Sequence, residues 1–526
     1  MIERKFVWLV LAFIVLLSGC DGARILGIVP MPARSHHIAF LSLMRELASR
    51  QHEVTVMNFF PQEKPIPNYT DITLNMDVFK EIHAGNMFTD TPSTVLGILM
   101  KLWGMGNLIG DHLLQSPNVQ EVIHSKNQHF DLVILEAFAN EAFLGFAHKF
   151  KAPVIFLCPF GGTHWMHSVV GNPSTFSYIP DTFLNFNDHM TFPQRIHNTL
   201  IGVIELLVRE LYYLPQQDAI MRKYFNNSGP IPDIRELERQ TSLLLLNSDV
   251  SLSYPRPMVP NAVQVGGMHI KPPKKLPEDL QKYLDVAPHG VIYFSMGSNL
   301  KSSQLPDEKR KALLDVFSKM KQKVMWKWEA DTLPGQPANL MIRKWFPQSD
   351  ILAHPNVKLF ITHGGLLSTM ETVYYGVPIL GISIFGDQQL NMRRAELSGY
   401  GIRIDFSNLT SESLEWGLNT ILNDPSYREN AKRLSKLFRD QPETPMERAV
   451  YWVEYVIRHK GAPHLHSAAL DLYWFQYFLL DVILVILGVV VLSAVLIYFS
   501  IKTVLKMLTK TSKKKKPTAS NKKKKN

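Results

Sequence analysis

The chain has 526 residues, 46% of them apolar and 19% charged, with a formal net charge of +10. Single cores stop growing near ~250–300 residues, so this length implies two sizeable cores plus appendages. Eleven lysines and no acid fall in residues 502–526; without them the rest carries −1, which excludes a basic, nucleic-acid-binding body.

In chain order, MIERKFVWLVLAFIVLLSGCDGA sets a basic start (Arg4, Lys5) before an apolar run, Phe6–Leu17, and small residues. This is the pattern of a secretory signal peptide over residues 1–23, cleaved between Cys20 and Arg24. LSGC also matches a lipoprotein cleavage box, a reading that the C-terminal features oppose. Loss of the leader leaves Cys158 as a single thiol, so no internal disulfide can form.

Residues 24–265 alternate strand and helix patterns. ARILGIV (23–29) reads as a buried strand, Ser35 as an N-cap, HHIAFLSLMRELASR as a helix and HEVTVMNF (52–59) as the next strand, together a βαβ unit. FDLVIL (130–135), a helix through 140–150 and APVIFL (152–157) repeat it, whereas 60–125 and 160–240 are less regular. These two segments carry many Phe, Met, Trp and Leu side chains, which suit either an ordinary core or a lipophilic pocket. NAVQVGGMHIKPPKKLPEDL (261–280) has the prolines, glycines and lysines of a linker, set at 266–285.

A second series follows over 286–445: GVIYFSMGS (290–298), a helix to Lys321, KVMWKW (323–328), LMIRKW (340–345), VKLFITHGG (357–365), a helix through Tyr375, VPILGI (377–382) and further helices to about 438. Two successive α/β blocks suggest two doubly wound domains facing a cleft. The first block lacks G-x-G-x-x-G after its first strand, so an ordinary dinucleotide site is not supported there. In the second, FITHGGLLSTMETVYYGVPILGISIFGDQQLN (360–391) joins a strand, a His-Gly-Gly turn and a helix start, a setting that favours phosphate. His363, Gly364 and Gly365 make that turn; Glu371 could accept from ribose hydroxyls, and Asp387 and Gln388 could hold sugar hydroxyls. Trp345 at a strand end can stack on a base, and Gln348 can read its edge.

The end of the chain, VILVILGVVVLSAVLIYFSI (482–501), holds twenty residues without a charge, enough for one transmembrane helix, set at 479–501. DLYWFQYFLLD (471–481) supplies an interfacial aromatic belt, and the lysine-rich tail 502–526 marks the cytosolic side. A leader plus one span gives a single-pass type I protein with a lumenal body. Lysines three and four from the end, Lys524 and Lys523, fit a dilysine signal for retrieval to the endoplasmic reticulum. Sequons at Asn68, Asn226 and Asn408 agree with a lumenal, glycosylated body.

The segment Trp345–Asn391, with FSMGS, VGGMH, NDPSYREN and DQPETPMERAVYWVEYVIRHKGAPHL, resembles the animal UDP-glycosyltransferase (UDP-glucuronosyltransferase) family over nearly the whole chain. The details look more like insect members, which mostly use UDP-glucose. The resemblance implies a GT-B fold: two Rossmann-like domains, an acceptor-binding one at 24–265 and a UDP-sugar-binding one at 286–445. It also places helices at 446–478 that return toward the first domain. It further implies inverting transfer to a small lipophilic acceptor with UDP-sugar as co-substrate and no cofactor or metal; the sequence contains no D-x-D. Carried over, Trp345 stacks on uracil, Gln348 contacts the nucleoside and Glu371 holds the ribose. Ser298 and His363 meet the diphosphate, and Asp387 and Gln388 hold the sugar. A homo- or hetero-oligomer is compatible with the resemblance.

The family's general base is a histidine in an S-H context sixteen residues before the second strand, which matches His36 and not His37. A first-turn position at the positive end of the helix dipole suits a neutral imidazole that takes a hydroxyl proton. Where relatives carry Asp after the FDLVI-type strand, this chain has Glu136; Glu141 is the alternative partner, and either acid could simply favour a helix N-terminus. Leu367 stands where vertebrate relatives have Asn, with Ser368 beside it to supply a polar contact, and Leu246 where many glucuronosyl members have Arg. Two other readings stay open: a glycosyltransferase for membrane lipids of the ceramide type, and a binding protein without turnover.

Overall fold

The computed structural model describes residues 22–75, 77, 85–90 and 94–514. The expected signal peptide, but for its last two residues, and the end of the lysine-rich tail lie outside them. Two wholly parallel sheets organise residues 22–466. The first has seven strands: β1 (Arg24–Ile28), β2 (Glu53–Asn58), β3 (Tyr69–Thr73), β4 (Leu132–Glu136), β5 (Val154–Cys158), β6 (Thr241–Leu246) and β7 (Ala262–Gln264). Their order is β3-β2-β1-β4-β5-β6-β7, reversing direction of growth beside β1. The second has six: β8 (Val291–Ser295), β9 (Lys323–Lys327), β10 (Leu340–Arg343), β11 (Val357–Thr362), β12 (Ile379–Ser383) and β13 (Gly401–Asp405), in the order β10-β9-β8-β11-β12-β13. In open parallel sheets ligands collect at such switch points, outside the carboxyl ends of the strands.

Helices that matter below are α1 (Arg34–Ser49), α2 (Val95–Leu114), α3 (Phe192–Val208), α4 (Leu366–Tyr375), α5 (Gln388–Leu397), α6 (Pro445–Arg458) and α7 (Leu480–Lys514). Buried strands read as continuous apolar runs because both faces are covered. Residues of opposite parity serve opposite cores: Leu132 and Ile134 of β4 join Phe40, Leu43 and Leu47 of α1, while Val133 and Leu135 face the other layer. Helix α6 closes the chain onto the first domain, adding Val450, Val453 and Val456 to the α1 side of that core. The free thiol of Cys158 is buried.

The 261–280 segment is more ordered than its composition suggests. It contains β7 and the start of a helix, Glu278–Asp285, whose Leu280 and Leu284 are buried and whose first turn carries Glu278 and Asp279. Nor is Ser35 a cap: the helix starts at Arg34, Ala33 occupies the N-cap in extended conformation, and no side chain caps that end.

Residues 467–514 form a second unit. Within it, Leu480–Thr511 is the one helix among the described residues long and apolar enough to cross a membrane, with a peak mean hydropathy of 3.1.

Candidate active site

The two-residue period of β4 sends Glu136, its last residue, to the same face as Leu132 and Ile134, toward α1. There His36, in the first turn of α1, lies with Nδ1 2.5 Å from Glu136 Oε1. The other carboxylate oxygen accepts the Met31 backbone N–H at 3.1 Å. Glu136 is fully buried, and both of its oxygens are thus engaged. Nδ1 is the nitrogen that donates to a carboxylate, so Nε2 carries the free lone pair. Phe138 meets the His36 ring edge-on at 4.7 Å.

The neighbouring histidine has a different setting. His37 Nδ1 donates to the Ala33 carbonyl at 3.0 Å, and Nε2 accepts the Phe59 N–H at 3.3 Å. Burial lowers its pKa to about 4, so it is a neutral clamp between α1 and the end of β2. Glu141 is likewise committed elsewhere: it accepts Arg209 Nη2 at 2.8 Å and the Tyr213 hydroxyl at 2.5 Å. Arg209 also bonds Glu238, completing a buried ion cluster away from His36. Of the two acids, Glu136 is the one that meets the histidine.

Across the cleft, β11 ends in Thr362, and His363 leads into Gly364, whose φ of +85° favours glycine. Gly365 is the extended N-cap of α4, and no side chain caps this helix either, so its first N–H groups are left for a ligand. The His363 ring fills space that Gly297 and Gly365 leave: a Cβ on either would lie 2.5 Å from it. Burial lowers the His363 pKa to about 4, which keeps the ring neutral.

Gln348 donates to Glu371 Oε2 at 2.7 Å and to Ser368 Oγ at 3.0 Å. Burial raises the Glu371 pKa to about 7 against the opposing effect of that hydrogen bond. Trp345 is half exposed, with the Arg34 guanidinium 5.0 Å and Lys327 Nζ 5.7 Å from its ring centroid. Asp387 precedes α5, and burial raises its pKa while Asn391 donates to it at 2.8 Å. The same Asn391 amide donates to the Gly364 carbonyl at 3.0 Å, tying the two glycine turns together. Gln388 uses its carbonyl oxygen on the Ile384 and Phe385 N–H groups, at 2.8 and 3.1 Å, so only its amide nitrogen is left to offer a ligand.

One cavity of about 530 Å³ joins these groups. His36, Ser298, Trp345, Gln348, His363, Gly365, Ser368, Glu371, Asp387 and Gln388 all line it, as does Leu367. Gly364 and Glu136 stand behind the wall. Ile98, Leu102, Met105, Phe138, Phe160 and Phe183 give the first domain's side an apolar surface.

The sequence profile described as UDP-glucoronosyl and UDP-glucosyl transferase matches residues 24–517. The chain belongs to that family. It is a UDP-sugar glycosyltransferase. Similar relatives include UDP-glycosyltransferase UGT5 of Dactylopius coccus, 40% identical over 92% of each chain. UDP-glucosyltransferase 2 of the same insect is 39% identical over 91% of this chain and 93% of its own. Human UDP-glucuronosyltransferase 1A6 is 34% identical over 88% of each. Among solved structures, the calicheamicin glycosyltransferase CalG4 superposes with a TM-score of 0.56 over 84% of this chain and 99% of its own, at 16% identity. The glycosyltransferase VinC in complex with dTDP gives 0.57 over 83% and 100%, also at 16% identity. At that identity they show the fold, GT-B, alone.

Sequence reasoning passed over several groups in this glycosyltransferase's cleft. Lys327, the last residue of β9, is buried, lines the cavity and pairs with Glu329 at 2.6 Å. Its signal was a lysine closing a strand with an apolar middle, KVMWK, where a charge needs a partner. Gly297 and Asn391 act through geometry that spacing does not display. Asn68, Asn226 and Asn408 are all exposed on the body.

Proposed function

We propose that the enzyme transfers glucose from UDP-glucose to a hydroxyl of a small lipophilic acceptor, with inversion and without a metal. His36 Nε2 removes the acceptor's hydroxyl proton. The oxygen attacks the anomeric carbon from the side opposite UDP, the bond from that carbon to the diphosphate oxygen breaks, and its electron pair leaves with UDP. Glu136 positions the ring and stabilises the imidazolium that forms. The observation that carries this reading is the 2.5 Å His36–Glu136 contact at the wall of the cavity that also holds Trp345, Gln348 and Glu371.

On this reading Trp345 stacks on the uracil, Gln348 contacts the nucleoside and Glu371 accepts from the ribose. His363, Ser298 and the uncapped start of α4 take up charge developing on the diphosphate. Asp387 and the Gln388 amide hold the sugar. Leu246, buried at the end of β6, brings no cation to the site, which fits a neutral hexose better than a glucuronate. The body sits in the lumen of the endoplasmic reticulum, glycosylated at Asn68, Asn226 and Asn408, with α7 as its single span.

The test is UDP release from full-length protein supplied with UDP-glucose, UDP-galactose or UDP-glucuronate against phenols, alcohols and ceramide. Turnover fastest with UDP-glucose and a phenol or alcohol, yielding the β-glucoside, is expected. Preference for ceramide, or firm UDP binding with no turnover on any acceptor, would overturn it.

A further inference from the structure

A second cavity, of about 770 Å³, opens at the opposite end of the first sheet. Val154, Thr241, Ser242 and Asn261 line it, at the amino ends of β5 and β6 and just before β7. The active-site groups stand beyond the carboxyl ends of these strands, so five or six residues of strand, ~17–20 Å, separate the two. The two cavities share no lining residue. The floor of the second is apolar, with Leu144, Val154 and Leu237 buried in it. Three polar atoms interrupt that floor without a hydrogen-bond partner among the described residues: Thr241 Oγ1, Asn261 Oδ1 and His148 Nε2. Thr241 and Asn261 are each only 1% exposed, and the Asn261 backbone is pinned, its carbonyl accepting the Leu244 N–H at 2.8 Å. Buried polar atoms in a folded chain are nearly always paired, so three together mark a wall shaped for a ligand that brings its own polar groups.

Three cations rim this cavity, each delivered by a different turn of the chain. Lys151 follows the helix Gly145–Phe150, Arg239 ends the helix Ile234–Arg239, and Lys460 follows α6. Among the described residues none of the three has an ion-pair partner. Glu236 is the one acid on the wall, so three positive charges against one negative leave a formal +2 with the histidines neutral. Lys460, Gly461 and Ala462 are left-handed in succession, at φ of +49°, +97° and +49°. Two of them carry side chains in that sparsely populated region, an arrangement that persists only where its surroundings hold it. Here the turn presses on the strand starts: a Cβ on Gly461 would stand 3.4 Å from Pro153 and from Ser242 Oγ.

We infer that this cavity binds a phosphate monoester that carries hydroxyl groups, the chemistry of a polyol or sugar phosphate. A phosphate monoester bears about −1.5 to −2 near neutral pH, which matches the rim, whereas a monocarboxylate meets only half of that charge. Hydroxyl groups on the ligand donate to Asn261 Oδ1 and exchange a hydrogen bond with Thr241 Oγ1, the two acceptors that the fold leaves unpaired. The carbon skeleton lies on Leu144 and Leu237. The volume falls within the ~300–1,000 Å³ range of small-molecule sites. Because the site is built from the far ends of the strands, it is separate from the UDP-sugar cleft and does not depend on how that cleft is used.

The experiment titrates glycerol 3-phosphate by calorimetry into full-length protein held in phosphatidylcholine nanodiscs, with the cleft saturated by UDP so that its phosphate-binding groups are occupied. One saturable site for glycerol 3-phosphate and none for glycerol is expected. Thr241→Val, which keeps the shape and removes the hydroxyl, should weaken binding ~3–10-fold. Arg239→Glu combined with Lys460→Glu should weaken it at least ~10-fold. Both variants should keep the parent's circular dichroism and UDP affinity, since none of these residues lines the cleft. Discs containing phosphatidic acid present the same monoester on a lipid: loss of glycerol 3-phosphate binding there assigns the site to a lipid headgroup, and unchanged binding assigns it to a soluble ester. Both results support the inference. No saturable binding up to ~10 mM, or binding that either variant leaves unchanged, would overturn it.

Discussion

Replacing Glu136 separates the geometry of this chain from the pattern of its relatives. Glu136→Gln keeps the shape but not the charge. Its amide oxygen can still accept the Met31 N–H, which turns the amide nitrogen, a donor, toward His36 Nδ1. The ring must then place its proton on Nε2, the tautomer that cannot accept one. The lost attraction between imidazolium and carboxylate, with charge centres ~4 Å apart, is about 4 kcal/mol at an effective dielectric of ~20. That corresponds to a ~10²–10³-fold fall in kcat once partial solvent screening is allowed for. Glu136→Asp keeps the charge but withdraws the carboxylate by one C–C bond, ~1.5 Å, opening the 2.5 Å contact to ~4 Å. It should lose at least ~10-fold, although aspartate is the residue that the family resemblance implies at this point. The assay is UDP release at saturating donor and acceptor, with UDP affinity measured calorimetrically; both variants should bind UDP as the parent does. A Glu136→Asp enzyme as active as the parent, or more so, would refute the reasoning.

Three further outcomes follow from the same geometry. Glu371 has its pKa raised to about 7 by burial, so the unfolded chain ionises first. Stability from this group therefore falls as pH rises from about 4.5 to 7 and is flat above, and Glu371→Gln should remove that fall in a melting series across pH. Ribose hydroxyls donating to Glu371 favour its carboxylate, so UDP binding should tighten as pH rises through 7, a dependence that calorimetry should find absent in the glutamine variant. His37→Ala should cost about 2–4 kcal/mol of stability in denaturant unfolding, since it removes a buried ring and orphans the Phe59 N–H. Its kcat per folded molecule should stay within ~10-fold of the parent. Gly365→Ala pushes a methyl to 2.5 Å from the His363 ring and should weaken UDP binding at least ~10-fold by displacement of that imidazole.

Much of this architecture was legible because buried parallel strands announce themselves as apolar runs; β6, TSLLLL, is such a run that went unread behind the irregular 160–240 stretch, while nine of the thirteen strands were read close to their observed bounds. β3, YTDIT, was not, because it is a polar edge strand with little to bury. β7 and the helix Glu278–Asp285 were hidden by the prolines, glycines and lysines around them. β13, GIRID, has a charge in its middle and sat among helical neighbours. In the site, the Trp345–Gln388 segment is contiguous in sequence, so its residues could be nominated together. The choice between Glu136 and Glu141 could not be made from spacing. FDLVIL reads as a strand ending at 135, yet β4 continues through Glu136 opposite Leu157, and that one residue fixes which face the carboxylate takes. Arg209 and Tyr213, which hold Glu141, lie about seventy residues further on and carry no local signal.

The central claim is that His36 is the base of a glycosyl transfer. It is tested most directly by measuring UDP release and UDP affinity side by side in His36→Ala, with an acceptor that the parent glucosylates. The account predicts transfer reduced by at least ~10³-fold with UDP affinity unchanged, because the ring meets Glu136 and Phe138 and none of the side chains proposed to hold the nucleotide. Turnover retained within ~10-fold of the parent would contradict it.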